Sequence, residues 1–524
     1  MEQTKISHPY LLFTVFISGF TTLGLEMAAS RLLGNVFGTS NLVWASIIGL
    51  ILIYLTVGYW VGGRWADAQP EPAVFFQILV WTGTSIAIIP LVSQPVLRFA
   101  ADAFDNLQLG MMLGAFISIM ILMVIPMVLL GTASPFAIRL SIQNTNSSGK
   151  ISGKIYAIST VGSFIGTFVA SLVLIPLIGT YRTFMVYALL LSLAAVIGLL
   201  LHSRRRIHLL YLLPLLAILL LFMLGKQGVI KQTPGQLFET ESEYNYIQVL
   251  QVEGYNLLRL NEGQGVHSIY KPGVENYYGP WEQFLAGPFF NQPPYPIHQV
   301  QSIAIVGLAA GTTARAASII YGNIPVDGFE IDPKIIEVGQ EYFDMNGPGL
   351  NAIAQDGRWG LEQSTRPYSI IAVDAYRPPY IPWHLTTREF FQSAYDHLLP
   401  DGVLVINVGR APDDRRLIND LYATLASVFP SVYVVDLPET FNTMIYATRL
   451  ATKSDNLVNN YVTLTADEST PLLLLETLQI AVANLQETPL SGRVYTDDLA
   501  PIEWITNDMV VRYILTDEIL PKTE

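Results

Sequence analysis

Between residues 9 and 225 the chain is a succession of apolar stretches, each long enough to cross a bilayer. Spanning the hydrocarbon takes about 20 apolar residues in a helix. Seven stretches qualify, at roughly 9–34, 42–63, 73–97, 110–138, 155–178, 181–202 and 207–225. The first is too long for a signal peptide, and no small-residue cleavage site follows it. Pro126 and Pro135 bracket Gly131-Thr132, so the fourth stretch is expected to kink or split there. Gly162, Gly166 and Ala170 recur at four-residue spacing, which lets a neighbouring helix pack closely. Ionisable residues are few: Glu26 and Arg31 near the end of the first stretch, Arg64 and Asp67 after the second. Such groups mark either a polar site between helices or ion pairs at helix ends.

Charge divides the chain at the same place. The whole carries a net −13, with only 14% charged residues. Residues 1–225 hold 11 basic and 6 acidic side chains, and residues 226–524 hold 18 and 36. The acidic second half argues against nucleic acid as a partner. There is no cysteine, which excludes disulfides, thiolate metal sites and cysteine nucleophiles. The seven His are scattered without ligand spacing, so no metal is expected. The loops on the N-terminal side hold Lys5, Arg64, Arg139, Lys150, Lys154 and Arg204 to Arg206, against Arg31, Arg98 and Arg182 opposite. The N-terminus is therefore expected in the cytoplasm of a multi-pass cell-membrane protein. With seven spans the acidic half would lie outside; one span more or fewer returns it to the cytoplasm.

After a linker at 226–235 the pattern changes to strands. Residues 244–252 and 256–260 alternate around Glu253-Gly254, which reads as a hairpin within a small β-domain at 236–296. From residue 297 to 450 strands alternate with helices. Ile303–Val306 leads into Gly307-Leu-Ala-Ala-Gly311, and Val326–Phe329 ends in Glu330. A strand before Asp356-Gly357, a strand Tyr368–Val373 ending in Asp374, and Val403–Asn407 follow. Antiparallel strands at about 431–436 and 442–448 complete the sheet, and 451–524 forms a C-terminal extension. Glycines at the first turn let a nucleotide approach the backbone, and an acid ending the second strand can hold a ribose diol. The fold class expected is a multi-span α-helical membrane domain, a small β-domain, and a Rossmann-like α/β domain of methyltransferase type. That these acids merely cap helices stays open beside the binding reading.

The stretches Leu260 to Gln264, Trp281-Glu282, Ile305 to Arg315, Phe329 to Asp332, Asp356 to Arg358 and Val373-Asp374 resemble the spermidine synthase family of aminopropyltransferases, as do Leu385 to Phe390 and Asp401 to Val403. The N-terminal half, through Ser18 to Ser40, Gly58 to Asp67 and Gly153 to Gly179, and the late Thr496 to Glu503, resemble transmembrane spermidine synthase-like proteins. The resemblance implies a transferase of polyamine biosynthesis that takes decarboxylated S-adenosylmethionine or S-adenosylmethionine as co-substrate. It implies an amine or polyamine-like small molecule as acceptor, and the lipid bilayer as surroundings. A homo-oligomer is left open. Gly307 and Gly311 would line the methionine-derived part of the nucleoside, Glu330 would hold the ribose and Asp356 the adenine amine. Gln264 and Glu282 would lie near the alkyl chain or the acceptor.

Three positions depart from the family pattern. Ala310 stands where the glycine turn usually carries the Asp that binds the aminopropyl amine. Arg377 stands where the acceptor base usually is, in Asp374-Ala-Tyr-Arg377-Pro378. Pro280-Trp281-Glu282 replaces a Tyr-His/Gln-Glu run. A guanidinium cannot accept a proton and repels an ammonium substrate. Asp374 is thus the candidate base, with Glu282 or Asp498 assisting and Tyr376 orienting the acceptor. Residues 377–384 read either as a lid or as a rigid loop, with His384 a loop histidine. The expected activity is alkyl transfer of aminopropyl type to an amine. Methyl transfer, elimination or cyclisation on an exported substrate, or a degenerate synthase domain coupled to a transporter, are the alternatives.

Overall fold

The computed structural model describes residues 8–37, 41–107, 111–142, 148–202, 206–224, 233–261, 265–376, 381–411, 414–488, 491–506, 508–509 and 512. The chain forms two compact units, Met1–Gln232 and Thr233–Glu524.

The first unit is helical: α1 (His8–Phe37), α2 (Asn41–Ala68), α3 (Pro72–Leu107), α4 (Met111–Gly131), α5 (Ala133–Ser141), α6 (Ser148–Val169), α7 (Ile175–His202) and α8 (Leu212–Leu224). Among the described residues, six helical stretches are long and apolar enough to cross a membrane, against seven expected. The difference lies in one stretch, Ser148–His202, which has 55 residues. At 1.5 Å per residue it would run about 80 Å, far beyond a hydrocarbon core of about 30 Å. It is interrupted at Gly179, whose φ of 76° and ψ of 167° are not helical. The break between α4 and α5 falls at Thr132, inside the pair of prolines that anticipates it.

Small residues bring the helices together. A Cβ on Gly162 or Gly166 would collide with the carbonyl oxygens of Phe16 or Phe20 on α1, and one on Gly19 with that of Ser159 on α6. Ser163 Oγ donates to the Gly19 carbonyl at 3.0 Å across the same contact. Glu26 is buried, whereas Asp67 is exposed and accepts from Arg139 Nε at 2.9 Å.

The second unit opens with an antiparallel sheet, β1 (Gln236–Glu241), β2 (Tyr246–Val252), β3 (Tyr255–Leu260) and β4 (Ser268–Tyr270). Its β2–β3 turn places Glu253 and Gly254 at φ 53° and 80°, as the hairpin reading requires. A seven-stranded sheet follows, built from β5 (Ile303–Val306), β6 (Val326–Glu330), β7 (Leu350–Ala354), β8 (Tyr368–Val373), β9 (Leu398–Gly409), β10 (Ser431–Asp436) and β11 (Asn442–Thr448). The order is β10-β11-β9-β8-β5-β6-β7, with β5 to β9 parallel and β10 and β11 antiparallel. The central strands are buried throughout, as parallel strands covered on both faces must be.

Helices α9 (Pro280–Gln283), α10 (Thr312–Tyr321), α11 (Pro333–Tyr342), α12 (Gly357–Gln363), α13 (Arg388–His397), α14 (Arg416–Ala426), α15 (Asp455–Thr465) and α16 (Leu472–Ala483) surround the sheets. From β5 the chain builds outward to β6 and β7, then returns to add β8 on the other side of β5. The carboxyl ends of β5 and β8 therefore flank a topological switch point, where open α/β sheets bind ligands.

Candidate active site

Register brings the candidate residues to one edge. Val306 pairs with Phe329 on β6 and with Val373 on β8, so Gly307, Glu330 and Asp374 each lie one residue beyond the same level. Glu330 and Asp374 are separated by two strand spacings, about 10 Å.

The glycine turn needs its unusual backbone. Gly307, Ala309 and Gly311 have φ of 94°, 47° and 80°. A Cβ on Gly307 would meet the backbone at Asp374 and Ala375 at 2.6 to 2.7 Å, so only glycine fits beside the β8 end. Glu330 braces this turn from the neighbouring strand. Its carboxylate accepts from Ala309 N at 2.9 Å and from Asp332 N at 3.1 Å. Burial pushes its acid up to about 7 despite those two bonds.

Asp332 has no exposed surface and joins the two sheets. One oxygen caps α11 through Lys334 N, and the other accepts from Ser242 Oγ at 2.5 Å and Asn245 Nδ2 at 2.9 Å. Asn245 accepts in turn from Asn261 Nδ2 at 2.9 Å. Arg315 fastens the turn from the other side. Its guanidinium donates to the carbonyls of Ala310, Phe343 and Ile269 at 3.1, 2.7 and 2.7 Å. Ala310 itself is buried among Ile247, Val249, Leu258, Ile335, Val338 and Phe343.

Asp356 follows β7 and does cap a helix, accepting from Trp359 N on α12 at 3.0 Å. Its other oxygen meets His384 Nε2 at 3.2 Å, and this hydrogen bond holds the carboxyl below the usual range. Asp374 accepts from Asn407 Nδ2 at 2.9 Å through Oδ1, and burial raises it to about 7. Asn407, on β9, keeps its own Oδ1 buried with no partner among the described residues. The Tyr376 hydroxyl accepts from Gly409 N, which pins the ring beside the β9 end.

Glu282 lies on α9. It is 1% exposed, and its two oxygens accept from Tyr277 N at 3.1 Å and Gly279 N at 3.2 Å in the capping box of α9. Burial raises it to about 7. Asp498 is exposed, and it is its neighbour Asp497 that is engaged, with Arg358. Gln264 and Arg377 lie outside the described residues, as does the first half of the 377–384 lid reading. Sequence reasoning assigned no role to Asp332, Arg315, Asn407 or Asp497. Asp332 and Arg315 sit inside the quoted stretches, while Asn407 and Asp497 carried a signal only by position, at a strand end and in the late Thr496 stretch.

Against known proteins, residues 303–461 match the profile of the Spermine/spermidine synthase domain. The matched residues all lie in the second unit. A protein of Bifidobacterium longum (strain NCC 2705) named "Probable polyamine aminopropyl transferase" is 30% identical over 300 residues. The alignment covers 54% of this chain and 65% of that relative's length. The polyamine aminopropyltransferase of Vibrio vulnificus (strain CMCP6) is 29% identical over 215 residues, 39% of this chain and 68% of that one. A crystal structure titled as a probable spermidine synthase from Corynebacterium glutamicum ATCC 13032 overlays with a TM-score of 0.40 at 18% identity, covering 52% of this chain and 99% of that one.

Proposed function

We propose that the chain is a membrane-held transferase whose C-terminal unit binds decarboxylated S-adenosylmethionine or S-adenosylmethionine and passes an alkyl group of aminopropyl type to an amine. The observation that carries this reading is the alignment of Gly307, Glu330, Asp356 and Asp374 along the carboxyl edge of one parallel sheet. The names of the relatives, polyamine aminopropyltransferases, point the same way. In this reading Glu330 accepts the ribose hydroxyls, Asp356 takes the adenine amine, and the turn from Gly307 to Gly311 passes under the sulfonium.

The chemistry asked of the chain is modest. The amine lone pair forms a bond to the carbon next to the sulfonium, the C–S bond breaks, and a neutral thioether leaves. The amine's surplus proton goes to Asp374, whose Oδ2 has no hydrogen bond among the described residues and whose raised pKa suits a base at neutral pH. Positioning supplies much of the remaining rate.

Membrane attachment is supported by the apolar side chains that the helices turn outward, among them Phe164, Leu172, Leu177 and Met223. An apolar surface of this extent is stable facing lipid rather than water. The basic loops support an N-terminus in the cytoplasm.

One observation favours a second reading. At the turn position where the family pattern has an Asp, Ala310 is packed in an apolar cluster, which removes the charge partner for a donor ammonium. Methyl transfer from S-adenosylmethionine fits that loss. The purified full-length protein, offered each donor with a panel of diamines, tests both by mass spectrometry. A product heavier by an aminopropyl group supports the first reading and one heavier by a methyl group the second. No donor consumption with any amine contradicts both.

A further inference from the structure

The late stretch Thr496 to Glu503 follows in sequence the residues 303–461 matched by the synthase domain, and Ile502 packs in the same core as Val306, Phe329 and Val373. Asp497 receives Arg358 Nη1 and Nη2 at 2.8 Å each, a two-pronged pair across 139 residues of sequence. Arg358 is the second residue of α12, the helix that Asp356 caps. The same Nη1 donates to the His384 carbonyl at 3.2 Å, and the His384 ring meets Asp356 Oδ2 at 3.2 Å. Asp497 thus reaches Asp356 by two routes, through the start of α12 and through His384.

The carboxylate is itself held. Thr387 Oγ1 donates to it at 2.7 Å, and its backbone N–H donates to Glu389 Oε2 at 3.0 Å. Two residues earlier the Tyr495 carbonyl accepts from Arg388 N at 2.9 Å, and the buried Tyr495 hydroxyl donates to Asp420 Oδ2 at 2.8 Å on α14. The pair at Arg358 is partly solvent-exposed, so its contribution to global stability is small. What two parallel hydrogen bonds do supply is a fixed guanidinium plane.

We infer that Asp497 is a positioning residue for the nucleoside end of the site. It holds Arg358, and through it His384 and Asp356, in the orientation that lets Asp356 take an adenine amino group. The inference rests on the nucleoside role proposed above for Asp356. The acidic partner comes from the C-terminal extension, so that extension completes the donor pocket and a chain cut before residue 493 would bind donor weakly.

Titration calorimetry on the detergent-solubilised full chain, with S-adenosylmethionine and its decarboxylated form as probes, tests this on D497N, R358K and D497E. D497N and R358K are expected to raise the Kd about tenfold, which is about 1.4 kcal/mol. Their thermal midpoints should stay within about 2 °C of the parent, and D497E should recover most of the affinity. Equal Kd values for D497N and the parent overturn the inference, as does a loss that tracks a lowered midpoint and is not recovered by D497E. No saturable binding of either probe by the parent protein overturns the nucleoside reading itself, and the inference with it.

Discussion

On the β6–β7 side of the switch point the acids have both oxygens engaged; on the β8–β9 side, among the described residues, Asp374 has one engaged. Glu330 accepts from two backbone N–H groups, Asp332 from Lys334, Ser242 and Asn245, and Asp356 from Trp359 and His384. Among the described residues Asp374 is held through one oxygen, and the Asn407 that holds it has a buried oxygen without a partner. The first arrangement makes a rigid mould. The second leaves acceptor capacity where an attacking amine would shed a proton and donate its remaining N–H groups. Glu330 and Asp356 follow the family pattern in sequence, whereas Ala310, Arg377 and Pro280-Trp281 depart from it. The contrast teaches that burial alone does not fix an acid's role: Glu330 and Asp374 are both raised to about 7, but their oxygens are engaged differently among the described residues.

The largest effect should come from Asp374→Asn. It removes the base and is expected to lower kcat by roughly 10²- to 10⁴-fold while leaving donor affinity in place. A donor Kd that rises in step would erase the distinction between the two sides. Glu330→Gln comes next. It keeps one acceptor oxygen for the turn but gives up the charge, and donor affinity should fall on the order of 100-fold, as expected when a buried charged acceptor is lost. Calorimetry reads this directly, and an unchanged Kd would remove Glu330 from the ribose.

A smaller effect sharpens the role of Asn407. Asp374 works as a base only when ionised, so activity should rise with pH through about 7 and level off above 8. The Asn407 hydrogen bond lowers that pKa. Asn407→Ala should therefore move the acid limb upward, by about one unit, in a pH–rate profile. A downward shift would contradict the geometry.

How much of this was legible in the sequence depends on how far apart the partners lie. Strands β5, β8, β10 and β11 have bounds that follow from local apolar runs, and Gly307, Glu330, Asp356 and Asp374 stand at or just beyond the ends of β5, β6, β7 and β8. Glycine spacing likewise announced the close approach of α6, because the small residues recur on one face. The pairs that give the site its rigidity were not legible. Arg358 with Asp497, Asp332 with Asn245, and Asn407 with Asp374 join residues 33 to 139 positions apart, and only topology sets which ones meet. Glu282 is the instructive case: its motif position pointed to the ligand, while the structure spends both its oxygens on the backbone of its own turn. The count of seven separates two stretches at Gly179, and the structure departs from helical φ/ψ at that same residue within one continuous 55-residue stretch.

The smallest expected effect concerns stability and separates buried structural acids from exposed ones. Glu282 and Glu330 are buried and raised to about 7, so the folded chain holds their protons more tightly than the unfolded chain does. Their contribution is fully present below about 4.5 and is lost as pH rises through 7, because the unfolded state binds fewer protons across that window. Thermal midpoints between pH 5 and 8 should fall for the parent protein and fall less for Glu282→Gln. An equal slope in the variant would place that titration elsewhere.

The central claim is that the C-terminal unit keeps an adenosyl donor site. Calorimetric titration of the full-length protein with S-adenosylmethionine and with its decarboxylated form tests it most directly. Saturable binding of at least one of them, weakened by Glu330→Gln and retained in Asp374→Asn, is the predicted result. The absence of saturable heat with both, or binding that Glu330→Gln leaves intact, would contradict it.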